Sequence, residues 1–286
     1  WLNGYDMDAR VFVHEIGHNL GLWHASSWEV PTSESQADAS SGSHVEYGFY
    51  YDAMGSAWRK TLDQLQFNSH FKNLNGWIPD NQIQNVNGNY SGRIYASDQT
   101  LVNGKNYAIK IDANRALGNK STLDYWIEHR SRFTGDPVIQ NGGLIYLSDD
   151  AGSIESTFLL DMNPQTEAYT SSKSQQIHDH ALQNGSSFTD SNNKWKIEVT
   201  GKGGSGADSY LDIKVTELII PQITQQPVRA VVPVGSAHTL RVIASGTGLT
   251  YQWRKNEVDI SGATDSTYVI SSFALADEDR KSTRLN

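Results

Sequence analysis

His14-Glu15-Ile16-Gly17-His18-Asn19-Leu20-Gly21-Leu22-Trp23-His24 packs a helix, a stop signal and three imidazoles into one short run. His14 and His18 are four residues apart, so on a helix they stack on one face and are able to share a metal. Glu15 lies beside His14, free to act as a general base. Gly21 marks the end of that helix, because a left-handed turn is entered cheaply only by a residue without Cβ. The chain then reverses, and His24 returns as a third ligand. Three neutral imidazoles at about 2.0–2.1 Å leave the fourth tetrahedral position open to water, the arrangement of a catalytic zinc site. Surface histidines on an ordinary helix account for a bare HExxH. They do not account for Gly21, His24 and a later Met54 in order.

The pattern HExxHxxGxxH followed by a methionine turn resembles the metzincin metalloproteases. The expected methionine is Met54, within Tyr51-Asp52-Ala53-Met54-Gly55-Ser56. The resemblance implies that Met54 is an apolar cushion beneath the zinc and not a ligand. Ala25 after the third histidine matches none of the better-known subfamily markers. Ser56 stands where some metzincins place a tyrosine as an extra ligand, so no fifth ligand is expected there. Glu46-Tyr47-Gly48, Phe67-Asn68-Ser69-His70 and Asn75-Gly76-Trp77-Ile78 look most like the gametolysin-type peptidases and their bacterial relatives. A weaker resemblance continues to about residue 217.

What the resemblance implies is a zinc-dependent endopeptidase of extracellular proteins. One catalytic Zn2+ is expected on His14, His18 and His24. Glu15 is expected to take a proton from the attacking water and deliver it to the leaving amine. The competing reading is an inactive metzincin-derived adhesion or binding protein, against which the intact motif speaks. A purely structural zinc is disfavoured, since no fourth protein ligand follows at suitable spacing.

The expected architecture is α+β and multidomain. Residues 1–80 read as the C-terminal part of a metzincin catalytic domain, mainly helical; residues 81–217 read as an antiparallel β-sandwich. A linker at 218–227 leads to residues 228–279, whose runs Leu249-Thr250-Tyr251-Gln252-Trp253 and Tyr268-Val269-Ile270 resemble part of a bacterial immunoglobulin-like β-sandwich, and 280–286 read as a non-native tail. In the first part, Asp6 and Asp8 favour the start of a helix, and Val11, Phe12, Ile16 and Leu20 form an apolar stripe beside its histidines. Ser26 to Gly42 reads as loop, and a second helix is expected from about Leu62 to Asn75, ended by Gly76 and Pro79. Alternation then predicts strands at Arg93–Ala96, Tyr107–Asp112, Asp124–His129, Leu144–Leu147, Thr157–Asp161, Lys194–Thr200 and Tyr210–Val215. Lys202-Gly203-Gly204-Ser205-Gly206 reads as a hairpin and not a phosphate loop. Trp253 is expected to be the buried tryptophan of the last domain.

Both ends are expected to be cuts: the active-site helix begins within the first ten residues, and the last eight resemble translated adapter sequence. A net charge of −9 without basic clusters argues against nucleic acid as a partner. No apolar run approaches the roughly eighteen residues of a transmembrane segment. Cysteine is absent, so neither disulfides nor thiolate ligands are available. The expected location is secreted or cell-surface, in a bacterium, with protein or peptide as substrate. The β domains' tyrosines and tryptophans are candidates for cell-surface or matrix contact.

Of the other histidines, His44 and His70 fall near the active-site loop and second helix, and read as packing or surface residues. His129 and His238 sit in strand-like segments, and His178-x-His180 would place two imidazoles on one side of an extended chain, a candidate second metal site that lacks a third ligand. Asp112 and Asp149-Asp150 offer oxygens to calcium, but no loop has calcium-binding spacing. Trp23 and Trp28 flank the third ligand as substrate wall or core.

Overall fold

Asp8 opens the first helix by accepting the Arg10 backbone N–H at 2.9 Å, one of the unpaired donors of a helix start, and α1 follows as Ala9–Asn19. Gly21, at φ 85°, ends it: the Leu22 N–H reaches the Gly17 carbonyl and the Gly21 N–H that of His18, both at 3.0 Å. This double closure of the last turn is what a glycine beyond the cap permits. The stripe of Val11, Phe12, Ile16 and Leu20 is exposed, and Gly17 is the buried residue of α1.

The computed structural model describes residues 8–56, 64–118, 120–133, 136–149, 156–166, 179–192, 194–219, 221–228 and 230–275. Asp6, Leu62, Asp150, His178 and the 280–286 tail lie outside the described residues. After α1 come β1 (Ala25–Glu29), β2 (Ser43–Val45), α2 (Ser69–Leu74), β3 (Ile83–Val86), β4 (Tyr90–Tyr95), β5 (Ala108–Leu117) and β6 (Lys120–His129). The chain continues through α3 (Pro137–Asn141), β7 (Gly142–Asp149), β8 (Thr157–Leu160), β9 (Leu182–Gln183), β10 (Ser187–Thr189), β11 (Trp195–Gly203) and β12 (Tyr210–Glu217). The glycine-rich run lies at the turn between β11 and β12, where Gly203 faces Tyr210.

The main sheet has eight strands in the order β2-β1-β8-β7-β6-β5-β3, with β9 also on β7. β1 runs parallel to β8 and β3 parallel to β5; the remaining pairs are antiparallel. Four antiparallel strands, β10-β11-β12-β4, make a second sheet. One apolar cluster joins the two sheets, with Ile109, Tyr125, Ile145 and Leu160 against Ile94, Trp195, Ile197, Leu211 and Ile213. On the main sheet's other face, Trp126, Leu144, Tyr146 and Leu159 pack with Leu22, Phe49, Tyr51, Met54 and Phe71. The middle layer is therefore covered on both sides. Every residue of β7 is buried, as a strand with two covered faces requires.

This architecture corrects the expectation of a mainly helical first part followed by a separate β-sandwich. Strand accounts for 39% of the structure and helix for 12%. The stretch from Ser26, read as loop, begins within a strand, because Ala25–Trp28 pair residue for residue with Thr157–Leu160. Its serines have little intrinsic strand preference, and the burial of Ala25, Ser26, Ser27 and Trp28 overrides it. The second helix is confined to α2, where the Asn68 side chain accepts from the Phe71 N–H at 2.9 Å.

The contacts divide the chain into Trp1–Glu217 and Leu218–Asn286. The second unit holds β13 (Gln222–Gln225), β14 (His238–Arg241), β15 (Ile243–Ser245), β16 (Arg254–Lys255), β17 (Val258–Asp259) and β18 (Thr267–Ile270), in three two-stranded pairings. Its buried apolar side chains among the described residues are Val242 and Trp253, whose indole N–H donates to the Asp265 carbonyl at 2.8 Å.

Candidate metal centre

The last two turns of α1 and the reversal after Gly21 bring the rings of His14, His18 and His24 together. Their centroids are 4.8 Å apart for His14–His18, 5.0 Å for His18–His24 and 5.5 Å for His14–His24. Their candidate ligand atoms all lie within 4.8 Å of one another. Each ring is oriented through Nδ1. That of His14 is 2.9 Å from the Ala53 carbonyl, that of His18 is 2.9 Å from the Leu22 carbonyl, and that of His24 is 2.7 Å from Glu46 Oε1. Carbonyl oxygens only accept, so Nδ1 of His14 and His18 carries the proton and donates. Nε2 is left with its lone pair. The carboxylate does the same for His24. The tripod fits zinc: three oriented imidazoles, each with an acceptor behind it, as metal-bound histidines ordinarily have. Burial lowers the pKa of His14, and the neighbouring His18 and His24 act in the same sense, against the hydrogen bond to Ala53. That favours the neutral ring a metal needs.

Glu15 follows His14 on the helix, half-buried, and its carboxylate has no hydrogen-bond partner among the described residues. Two aromatic rings flank His24: Trp23 stacked at 5.0 Å and Tyr47 at 4.0 Å between centroids. Tyr47 has a φ of 63°, unusual for a residue with a Cβ, and its ring also lies 5.8 Å from that of His14. Trp23 further lines a cleft of about 260 Å³ with Trp28, His44, Leu117, Lys120 and Phe158.

Met54 is fully buried under the helix. A Cβ on Gly17 would overlap its sulfur, so the HExxH segment needs glycine there to approach the methionine turn. The turn is tied to two ligand segments at once: the Ala53 carbonyl holds His14, and the Met54 carbonyl accepts the Ala25 N–H at 2.9 Å, next to His24. Asp52 braces it from below, accepting the Met54 N–H at 2.7 Å and the Asn68 N–H at 2.5 Å. Burial raises the Asp52 pKa to about 7, with Arg130 and those two N–H groups opposing. Arg130 donates to the Tyr51 carbonyl and pairs with Glu128 at 2.7 Å, and Glu128 in turn accepts from Ser69 N and Oγ at 2.7 and 2.6 Å. Glu128 and Arg130 lie on and just after β6. The main sheet is thus the foundation of the methionine turn.

Sequence reasoning missed the acceptors. Glu46 and Tyr47 entered it only through family resemblance, and nothing in their spacing from His24 marks them, because a loop brings them there. His44 bonds Ser26 Oγ at 2.8 Å, His70 packs on Trp126 and His129 bonds Ser209 Oγ at 2.9 Å, so none joins the tripod. Asp149 pairs with Lys120 at 2.5 Å, and Asp112 is exposed on β5. No helix among the described residues is long and apolar enough to cross a membrane. Comparison with protein-family models, with curated proteins and with solved structures gives no match to this chain.

Proposed function

We propose that the chain is a zinc-dependent endopeptidase of the metzincin type, hydrolysing peptide bonds of protein substrates. The observation that carries this reading is the tripod with its three Nδ1 acceptors. A histidine cluster formed by chance has no reason to present all three rings with Nε2 unprotonated and convergent. His14, His18 and His24 would hold the ion. When bound, zinc supplies Lewis acidity, polarising a substrate carbonyl and lowering the pKa of water toward about 7.

The chain's own residues do the rest. The Glu15 carboxylate, uncommitted and adjacent to His14, takes the proton of the attacking water and returns it to the amine nitrogen as the C–N bond breaks. Glu46 holds His24 in its ligand tautomer. Trp23 and Tyr47 wall the third ligand, and the cleft beside Trp23 offers an apolar surface to a substrate side chain. The test is cleavage of casein or gelatin by the chain and by Glu15→Gln, with zinc content measured on both. Cleavage by the parent alone, at equal zinc, supports the reading. Equal cleavage by both removes Glu15 from the mechanism.

A further inference from the structure

A second cluster of metal-ligating side chains lies at the other end of β1. Trp28 and Leu160 are the last register pair of the parallel strands β1 and β8, so Glu29 and Asp161 follow it side by side, Glu29 still paired with Ser43 of β2. The Met162 N–H donates to the His180 carbonyl at 3.2 Å, which lays His180 alongside them just before β9. Ligand atoms of Glu29, Asp161 and His180 all lie within 4.8 Å of one another. A shared ion at about 2.0–2.2 Å holds its ligands at most about 4.4 Å apart, so closing the set takes only small side-chain movements.

The surroundings differ from a solvated acidic patch. His180 is wholly buried, Asp161 is 3% exposed and Glu29 is half-buried. Asp179, next to His180 in the chain, keeps Oδ1 buried without a hydrogen bond among the described residues. A buried carboxylate such as that of Asp161 is costly to hold charged without a cation or a hydrogen-bonding partner beside it. An imidazole in the set disfavours calcium, which takes oxygen ligands, and favours a transition ion.

We propose that Glu29, Asp161 and His180 form a second, structural site for a divalent transition-metal ion of the Zn2+ type, pinning the end of β1 opposite His24. The site joins three chain segments and has a buried, carboxylate-rich ligand set. It is built to hold an ion and not to offer it to substrate.

The test is zinc stoichiometry by mass spectrometry on the full chain after dialysis, for the parent, His18→Ala and the double variant Asp161→Asn/His180→Gln. Circular dichroism checks that each is folded. The parent is expected to retain two equivalents, and each variant one. Glu29→Gln, at the half-buried edge, gives a milder probe: the second equivalent is expected to weaken by about tenfold or more, with the first unchanged. One equivalent that survives His18→Ala but is lost in the double variant upholds this site while sinking the tripod reading. If the folded double variant, or Glu29→Gln, binds as much zinc as tightly as the parent, the proposal is overturned. A parent with a single equivalent that His18→Ala removes overturns it too.

Discussion

One short strand, β1, has a cluster of metal-ligating side chains at each end, and the two clusters are built on opposite plans. At the start, His14, His18 and His24 come from one helix and its reversal, and His14 and His18 are only half-buried. At the end, Glu29, Asp161 and His180 come from three segments distant in sequence, two of them buried. The first is all imidazole with a free carboxylate beside it; the second puts its carboxylates in the ligand set. An open neutral tripod suits an ion that must exchange water for substrate, whereas a closed anionic set suits one that stays. The contrast teaches that the same strand serves both, because parallel pairing with β8 fixes its far end as firmly as the methionine turn fixes its near end.

The sharpest way to break this contrast is Glu15→Gln. Proteolysis is expected to fall by about 10²–10⁴-fold, the usual contribution of a positioned general base, with both zinc equivalents retained. Loss of metal alongside activity would mean that Glu15 is structural. Glu46→Gln comes next: zinc at the tripod is expected to bind about 10–100-fold more weakly, while the Glu29 cluster is untouched. A chelator competition that finds both equivalents unchanged would remove Glu46 from the His24 orientation. Gly17→Ala drives a methyl group into Met54 and is expected to cost about 1–3 kcal/mol in chemical denaturation, as overpacking does, with the tripod ion weakened first.

The smallest effect is one of pH. Folded Asp52 holds its proton up to about 7, against an ordinary value of 3.8. Between those limits the folded chain keeps a proton that the unfolded chain releases, so this group's contribution to stability falls as pH rises through the window. Asp52→Asn in the metal-free chain is expected to flatten that slope in urea unfolding between about pH 4 and 7. An unchanged slope would show that Arg130 keeps Asp52 ionised.

Several elements were legible in advance. β4 to β8, β11 and β12 announce themselves as short apolar runs between Asn, Gly and Ser turns, whereas the two- and three-residue strands β9 and β10 do not, and α1 announces itself by its cap, its period and Gly21. β1 was not legible: Ala-Ser-Ser-Trp-Glu has no pattern until β8 supplies its partner. The same blindness hid the partners of His180: the sequence offered it only His178, two residues away, and nothing in the spacing marked Glu29 or Asp161. It also hid the dependence of Met54 on Glu128 and Arg130. The exposed stripe on α1 is the reverse case, a helical pattern read correctly as apolar without any local sign of whether it would be covered.

By itself the sequence determined which three histidines could meet, because helical spacing puts His14 and His18 on one face and one left-handed glycine turns the chain back toward His24. Only the tertiary structure decided which nitrogen each ring offers, and which carboxylates meet His180. It also decided that the first eighty residues share a sheet with those that follow. Those outcomes depend on parallel pairing and on loops such as Glu46–Tyr47, whose partners lie far along the chain and leave no period in it.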